Sequence, residues 1–541
     1  MLKANNSLNR LLGSFCFSVV VILLTHAQAF GQNKITYTVA TNGSPGFANL
    51  SQPTTLAIAP DGRLFVGQSN GRIHAITLDG LRVASVQVIN TIFNRGLSTN
   101  GRLVTGITFG PGGDLFVSHS DGRTGDINVD SISGTVTRLL ASTNFSSGPD
   151  IATGLPRSKV NHAPNGLAFG PDGALYLAIG GLTNAGRPSN YFFNQVEQNL
   201  SGAILKININ TGQVSTHATG FRNPYDLVWH TNGQLYATDN GANSGLGNRT
   251  NNNCTEGPDP GTPPDELNRI IAGRYYGHPN PARGQCVFNG GTNFTGPIAT
   301  FSASENGIAV YASSRVPAFQ GNLFTANFST GQIHRIQLTA NGLGVSSVTA
   351  YATGLANPLD IAISSDGRIY VAEWGGNAIK VILPVVSFRS SGGFYMVAEG
   401  SGGGDVNANR TAVGPWELFA VIDINGGTLQ SGDAVHILAF NGVHYVVAES
   451  GGAPIGTMPP PGQVFANRTV PFSWTTFIIR KADGSSGVIG NNQQISLQSS
   501  GGFYVVAEGG GAPQGTPPPN GQVFANRTAV GPWEIFTMTM Q

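Results

Sequence analysis

A pattern of strand, tight turn and strand recurs six times between residues 53 and 374 of this 541-residue chain. One copy reads PNGLAFGPDGALYLAIG, with apolar residues alternating on both sides of a glycine-containing turn. The turn glycines are residues 62, 113, 173, 233, 321 and 367, so the copies lie 51, 60, 60, 88 and 46 residues apart. Repeats of this length, each with room for four strands, are typical of β-propellers. The pattern predicts an all-β chain that begins with a six-bladed β-propeller, from about residue 34 to 385.

A different repeat occupies residues 386 to 541, where three units of about fifty residues follow one another. They predict a β-trefoil after the propeller. Tyrosine, arginine and tryptophan recur at equivalent positions: Tyr395, Tyr445 and Tyr504; Arg410, Arg468 and Arg527; Trp416, Trp474 and Trp533. The tryptophans allow two interpretations, because aromatic residues stack on sugar rings but more often fill a core when they repeat in this way. We expect core positions for the tryptophans and a structural role for the arginines.

The first 29 residues have the layout of a secretory signal peptide. Lys3 and Arg10 form a positive region before the apolar segment 11–24, and Ala27-Gln28-Ala29 is a typical cleavage site. The apolar segment is short for a transmembrane helix, and no other segment approaches one. We therefore expect a secreted or periplasmic protein without a membrane span. The formal net charge of +1 gives no electrostatic reason to expect a nucleic-acid partner.

Two cysteines remain once Cys16 of the predicted signal peptide is set aside. In an oxidising compartment, Cys254 and Cys286 most simply form a disulfide, and two free buried thiols are the alternative. Both lie in the longest separation between hairpins, which predicts an insertion from about residue 240 to 306. Long loops within a compact fold are usually functional or cross-linked.

Three motifs carry a resemblance to a known family. They are HAPNGLAFGPDGALYLAIGG (162–181), GFRNPYDLVWH (220–230) and PPDELNRIIAGRYYGHP (263–279). Residues 34–385 resemble the glucose/sorbosone dehydrogenase family, which includes soluble sugar dehydrogenases dependent on pyrroloquinoline quinone (PQQ) and calcium. The resemblance implies an oxidoreductase that oxidises an aldose or related sugar by hydride transfer to PQQ and then passes electrons to an external acceptor.

The resemblance also assigns roles to individual residues. His162 matches the histidine that removes the sugar hydroxyl proton, a role suited to neutral imidazole. Arg222 and Asn223 match residues that contact the cofactor, where a guanidinium would stabilise negative charge on the quinone. The alternatives are that His162 is a loop histidine hydrogen-bonded to backbone and that Arg222 pairs with a carboxylate.

Calcium positions follow from the same resemblance. The backbone carbonyls of Gly241 and Ala242 match ligands of a cofactor-bound calcium ion. Asp265, Glu266 and the Tyr276 carbonyl match a structural calcium site, and such oxygen ligands suit Ca²⁺. The alternative is that Asp265 and Glu266 only brace the insertion.

Some family positions are not matched. Ser329 or Thr330 stands where a lysine would hold the cofactor carboxylates, and Asn357 and Leu359 replace paired arginines. Each lost charge-assisted contact removes about 1.5–3 kcal/mol. Arg315 and Arg335 are candidates to compensate.

The carboxy-terminal repeats resemble fascin-like domains, a type that also occurs on exported carbohydrate-active proteins. The first functional hypothesis is therefore a sugar dehydrogenase with a carbohydrate-binding trefoil. A second is a non-catalytic protein that binds extracellular glycan or a partner on a propeller that has lost its cofactor. A calcium-dependent lactonase or hydrolase is a third, based on fold analogy alone.

Overall fold

The structure, a computed structural model, describes residues 34–41, 50–96, 101–458 and 461–541. The predicted signal peptide (1–29) lies outside the described residues. Nearly all regular structure is β-strand. No helix within the described ranges is long and apolar enough to cross a membrane.

Six antiparallel four-stranded sheets form the six blades of a β-propeller, as the hairpin repeats predict. The first three blades consist of β2 (Pro53–Ile58), β3 (Leu64–Gln68), β4 (Ile73–Asp79) and β5 (Arg82–Ile89); β6 (Arg102–Phe109), β7 (Leu115–Asp121), β8 (Gly134–Leu139) and β9 (Asp150–Leu155); and β10 (Pro164–Phe169), β11 (Leu175–Ile179), β12 (Ala203–Ile207) and β13 (Val214–Thr219). The last three consist of β14 (Pro224–Trp229), β15 (Leu235–Asp239), β16 (Asp265–Ile270) and β17 (Ala299–Phe301); β18 (Glu305–Val310), β19 (Leu323–Asn327), β20 (Gln332–Leu338) and β21 (Val345–Ala352); and β22 (Pro358–Ile363), β23 (Ile369–Glu373), β24 (Ala378–Pro384) and β1 (Lys34–Thr41).

Five of the six hairpins turn at the glycine that marks the repeat. In blade 5 the prediction of a strand from Pro317 is wrong, because Pro317–Phe319 is a 3-10 helix in the connection from β18 to β19. Gly173 has a φ of +76° and donates its N–H to the carbonyl of Gly170 at 2.9 Å. That conformation is in the left-handed region, which glycine adopts without strain. The turn sets the register in which Phe169 faces Leu175, and the two strands continue from there.

The predicted insertion contains two strands that the sequence interpretation missed. Residues 240–306 were expected to be one long loop, but β16 and β17 are the third and fourth strands of blade 4. The additional chain is therefore divided between a loop before β16 and a loop after it. The error arose because the connection from β16 (ending at Ile270) to β17 (beginning at Ala299) is longer than the corresponding connection of any other blade.

The carboxy-terminal part is a separate β-sheet arrangement built from three similar units. Six strands pair in a closed ring: β25 (Val386–Ser390), β28 (Phe419–Asp423), β29 (Ala434–Ala439), β32 (Thr476–Lys481), β33 (Gln493–Ser499) and β36 (Phe536–Met540). Three hairpins complete it: β26 (Tyr395–Ala398) with β27 (Val406–Arg410), β30 (Tyr445–Ala448) with β31 (Val464–Arg468), and β34 (Tyr504–Ala507) with β35 (Val523–Arg527).

Helical structure is confined to short turns. One four-residue segment, α1 (Glu399–Gly402), lies between β26 and β27. One-turn 3-10 helices occur at Phe93–Arg95, Ala141–Thr143, Pro281–Arg283, Pro317–Phe319, Pro415–Glu417, Glu449–Gly451, Ser473–Thr475, Glu508–Gly510 and Pro532–Glu534.

The expectation that the repeated tryptophans fill a core is wrong. Trp416, Trp474 and Trp533 are 40 %, 37 % and 44 % exposed. The core of the ring is formed instead by aliphatic side chains and by phenylalanines such as Phe388 and Phe536. Each tryptophan lies in a one-turn helix that precedes a ring strand, outside the alternating pattern that directs side chains inward.

The repeated arginines form ion pairs within their own repeats, in agreement with a structural role. The guanidinium nitrogens of Arg410, Arg468 and Arg527 lie 2.8, 2.5 and 2.9 Å from the carboxylates of Glu399, Glu449 and Glu508, respectively.

The propeller and the carboxy-terminal sheets share a hydrophobic core. β24 ends at Pro384 and β25 begins at Val386. Leu383 of the propeller packs in one buried cluster with Ile422 and Leu438 of the ring. Arg368 donates to the carbonyls of Gly80 and of Asp423 in the ring, at 2.7 and 2.9 Å.

Candidate active site

One face of the propeller gathers the loops that carry the predicted site residues. The first strand of each blade lines a central channel of about 390 Å³. His162 precedes the first strand of blade 3, Arg222 and Asn223 precede that of blade 4, and Gly241 follows the second strand of blade 4. Because paired strands are antiparallel, the start of a first strand and the end of a second strand lie at the same end of a blade. The fold therefore places these residues on one face.

His162 is a buried neutral imidazole with one free nitrogen. Its Nδ1 lies 2.8 Å from the carbonyl oxygen of Gly181, and a carbonyl can only accept, so Nδ1 carries the proton. Burial, reinforced by the charge of Arg222, holds the pKa of His162 well below its ordinary value. Nε2 is buried and has no hydrogen-bond partner within the described part of the chain. The predicted alternative, a hydrogen bond to backbone, is thus present and leaves the second nitrogen available as a base.

Five consecutive residues, Gly180 to Asn184, join His162 to Arg222; we call them the 180–184 segment. A side chain on Gly180 would come within 2.6 Å of the His162 Cβ and 2.8 Å of the Asn223 Oδ1. Gly181 accepts from His162 and donates its N–H to the carbonyl of Arg222 at 2.7 Å. Asn184 accepts from the Nε of Arg222 at 3.3 Å. The two sequence-predicted residues are therefore held by the same short stretch of backbone.

Arg222 is a buried guanidinium without a carboxylate partner. Only 7 % of the residue is exposed, and its side chain forms no ion pair with any described residue. Burial lowers its pKa to about 10, against the opposing charges of Asp239 and Asp265. The predicted alternative, in which Arg222 pairs with a carboxylate, is therefore wrong for its side chain.

Asp239 fixes the peptide that carries Arg222 and Asn223. Its two carboxylate oxygens accept the backbone N–H groups of these residues at 3.1 and 2.8 Å. The side chain of Asn223 bonds to residues on both sides. Its Oδ1 accepts from Asn165 of blade 3 at 3.0 Å, and its Nδ2 donates to Asn240 at 3.0 Å. Hydrogen bonds thus connect blades 3 and 4 at the site.

The predicted calcium ligands divide into two groups. The carboxylate of Asp265 is occupied by donors, from the N–H groups of Gly241 and Glu305 at 2.8 and 2.7 Å and from the Asn240 amide at 2.9 Å. Burial raises the pKa of Glu266 to about 7. Among the described residues, no group of three or more His, Cys, Asp or Glu side chains could hold a metal ion.

The other predicted calcium ligands are backbone carbonyls. Those of Gly241, Ala242 and Tyr276 accept no hydrogen bond from the described residues. The Tyr276 ring stacks on Phe221 at 4.7 Å. The structure joins two members of the predicted set directly, since the N–H of Gly241 donates to Asp265.

The positions expected to bind the cofactor carboxylates are neutral. Ser329 and Thr330 lie in the exposed loop after β19, where Thr330 bonds to Asn327 at 2.8 Å. Asn357 donates to the carbonyl of Phe328 at 3.1 Å. Arg315 is buried near the ring, where its Nη2 lies 3.5 Å from the Val421 carbonyl, and Arg335 packs over Phe319. Neither arginine compensates at this face.

Cys254 and Cys286 form a disulfide, as the sequence predicts. It joins the two loops on either side of β16. Thr250 reinforces the link by donating to the carbonyl of Cys286 at 2.6 Å. Asn184 ties the first loop to the site, because its Nδ2 donates to the carbonyls of Asn243 and Gly247 at 2.7 and 3.0 Å.

Sequence reasoning missed the residues that support this site. Asn184 lies beyond the end of the HAPNGLAFGPDGALYLAIGG motif, and Glu197 is an isolated acid in the loop between β11 and β12. Gly181 is the last residue of the motif and could have been singled out as part of a Gly-Gly pair. The contacts of Glu197 depend on chain folding and leave no local signal.

The profile of the family described as Glucose / Sorbosone dehydrogenase matches residues 50–380, more than half of the chain. The chain belongs to this family. Quinoprotein glucose dehydrogenase B from Acinetobacter calcoaceticus is 26 % identical over 268 residues, which is 43 % of this chain and 52 % of that protein. The chain therefore spans about half the length of this curated relative.

Two solved structures of aldose sugar dehydrogenases are among those similar to this chain. The PQQ-bound form of aldose sugar dehydrogenase from Streptomyces coelicolor gives a TM-score of 0.46 at 19 % identity, covering 64 % of this chain and 97 % of its own. The soluble aldose sugar dehydrogenase from Escherichia coli, in the apo-form, gives a TM-score of 0.47 at 16 % identity, covering 64 % of this chain and 99 % of its own.

Proposed function

We propose that this protein is an exported sugar dehydrogenase that oxidises an aldose or related sugar by hydride transfer to PQQ. The observation that carries the proposal is the pairing of a neutral, unpartnered His162 Nε2 with a buried, unpaired Arg222 on one face. A neutral base can take the hydroxyl proton of an alcohol, and a cation without a counter-ion can stabilise the charge on a cofactor that accepts the hydride.

The residues at the reacting end of the site fit a quinone cofactor. His162 Nε2 is a buried acceptor with nothing to accept, and Arg222 has unpaired donors. Arg222 and Asn223 would hold the group, and the free carbonyls of Gly241 and Ala242 are suitable oxygen ligands for its calcium ion. PQQ, when bound, supplies the hydride acceptor, and calcium polarises its oxygens.

The chain's own residues account for the proton. His162 accepts the hydroxyl proton of the sugar at Nε2, while its Nδ1–H remains bonded to Gly181. The carbon that bore that hydroxyl loses hydride, so an aldose leaves as a lactone. Arg222 would stabilise the negative charge that develops on the quinone when it accepts the hydride. Transfer of the two electrons to an external acceptor would release the proton that came with the hydride, and His162 returns its own proton to solvent.

A structural calcium ion near Asp265, Glu266 and Tyr276 is part of the same proposal. Glu266 is its best-placed side chain, since its carboxylate accepts one hydrogen bond, from Asn268 at 3.0 Å. Asp265 contributes by holding Gly241, whose N–H it accepts.

The carboxy-terminal part, residues 386–541, is proposed to be a fascin-like β-trefoil that binds carbohydrate. A closed ring of six strands with three hairpins supports the trefoil assignment. The three exposed tryptophans support sugar binding, because an exposed indole offers a flat apolar surface to a sugar ring. Replacing all three tryptophans by alanine should abolish retention of the full chain on immobilised polysaccharide while the variant still shows a cooperative thermal transition. Unchanged retention would exclude these residues as the binding surface.

The dehydrogenase proposal is tested by dye reduction with the purified full chain, with and without PQQ and Ca²⁺, over a panel of aldoses and oligosaccharides. We expect reduction that requires both additives. Inactivity with every sugar, together with no thermal shift on adding PQQ, would favour the second candidate, a non-catalytic glycan-binding protein. The neutral Ser329, Thr330 and Asn357 are the observation that favours this second candidate.

A further inference from the structure

A buried carboxylate lies behind the candidate active site and takes no part in the chemistry proposed above. The side chain of Glu197 is 1 % exposed and accepts hydrogen bonds from five donors. They are the backbone N–H groups of Leu182 and Thr183, both within 3.1 Å, the hydroxyls of Thr183 and Ser201 at 2.6 and 2.5 Å, and the Nε2 of His278 at 3.1 Å. Burial alone would raise the pKa of Glu197, but these donors, His278 first, bring it down to about 2.

Two of these donors belong to the 180–184 segment. Leu182 and Thr183 directly follow Gly181, whose carbonyl fixes the proton of His162 on Nδ1. A side chain added to Gly181 would come within 2.9 Å of the His278 Nε2 and 3.1 Å of the Glu197 Oε1. The pair of Glu197 and His278 therefore forms the surface on which Gly181 rests.

The opposite side of the segment faces the site. The N–H of Gly181 bonds to the carbonyl of Arg222, and Asn184 bonds to the Arg222 Nε. Displacing Leu182 and Thr183 would therefore move an acceptor of His162 and two contacts of Arg222 together. The choice between the two neutral tautomers of a histidine is set by the hydrogen bond of its other nitrogen, so the position of one carbonyl decides whether Nε2 is a base.

We propose that Glu197, braced by His278, is a positioning residue that anchors Leu182 and Thr183 and so keeps His162 in the tautomer with a free Nε2. Glu197 is too deeply buried to touch a substrate, and it acts through the 180–184 segment. The effect on catalysis rests on the proposed function, whereas the effect on the tautomer does not.

The test uses the full chain labelled with ¹⁵N at histidine and long-range ¹H–¹⁵N correlation spectra of the imidazoles, with the His162 signals identified by their loss in His162→Gln. In the wild type we expect one neutral His162 tautomer, protonated on Nδ1. In Glu197→Gln, a carboxamide cannot accept from all five donors, so His162 should show a mixture of tautomers or a proton on Nε2. The matched control is Glu508→Gln, which alters another buried, hydrogen-bonded glutamate far along the chain and should leave His162 unchanged.

An unchanged His162 signal in a folded Glu197→Gln variant would overturn the proposal. If that variant does not fold, Thr183→Val keeps the shape of the side chain but removes one donor to Glu197, together with the acceptor of the Gly186 N–H, and the same shift in the His162 signal is expected. Where the wild type is active, kcat of Glu197→Gln should fall by about ten- to a hundredfold with little change in KM, as expected for a misplaced base. A tautomer change in a chain that has no dehydrogenase activity would support the positioning role and reject the proposed function.

Discussion

Two features of its surroundings keep the imidazole of His162 in the state that a base requires. The carbonyl of Gly181 sets which nitrogen is protonated, and burial beside Arg222 keeps the ring neutral. Neither feature is visible in the residues next to His162 in the sequence. The resemblance to the dehydrogenase family could nominate His162, but only the folded chain brings Gly181 and Arg222 to it.

The neutral state of His162 has a consequence for stability. The pKa of His162 is held well below 6.5 in the folded protein and returns to about 6.5 on unfolding, so below that pH only the unfolded chain gains the proton. This contribution to folding is complete above pH 6.5 and is lost as the pH falls, by at most about 1.4 kcal/mol per pH unit. Thermal melts between pH 7.5 and 5 should fall more steeply for the wild type than for His162→Gln. Parallel curves would show that His162 is protonated in the folded state.

The neutral cofactor face suggests a gain-of-affinity experiment at Thr330. Lysine at this exposed loop position would add one charge-assisted contact to a cofactor carboxylate, worth about 1.5–3 kcal/mol, or about tenfold or more in Kd. PQQ binding to Thr330→Lys is measured by titration calorimetry. The control is Ser347→Lys on the exposed outer strand of the same blade, which adds the same charge elsewhere. Equal affinities for both variants would mean that the cofactor carboxylates do not lie near residue 330.

At the level of strands and loops, the elements that could be predicted are those that local sequence signals specify. Five of the six hairpins follow from turn glycines and apolar alternation, which act over a few residues. The strands β16 and β17 were missed because long loops before and after β16 obscured their spacing. The pairing of β1 with β24 joins residues such as Tyr37 and Val381, and no local pattern indicates a contact at that separation.

The disulfide between the two loops around β16 should stabilise the folded chain. It closes a loop between cysteines separated by 32 residues. In the chain-entropy account, a loop of this size contributes about 3–4 kcal/mol. The double variant Cys254→Ser/Cys286→Ser should therefore melt at a lower temperature than the wild type, and dithiothreitol should lower the melting temperature of the wild type only. Identical melting temperatures of wild type and variant would show that the disulfide does not contribute to the free energy of unfolding.

Across the whole molecule, the propeller and the carboxy-terminal ring are coupled by their shared core. Leu438 of the ring is fully buried in the cluster that contains Leu383 of the propeller. Leu438→Ala should cost about 2–5 kcal/mol, as large-to-small core substitutions do. We expect one calorimetric transition that shifts as a unit to lower temperature. Two transitions, of which only the second shifts, would mean that the two parts unfold independently.

The central claim is that His162 is the base of a PQQ-dependent sugar oxidation. The most direct measurement compares wild type and His162→Gln for sugar-dependent dye reduction and, in parallel, for PQQ binding, both with Ca²⁺ present. The account predicts that PQQ affinity is retained while kcat falls by about a hundredfold or more, because removing a general base costs that much. Dye reduction by His162→Gln at the wild-type rate, with PQQ bound equally, would contradict it.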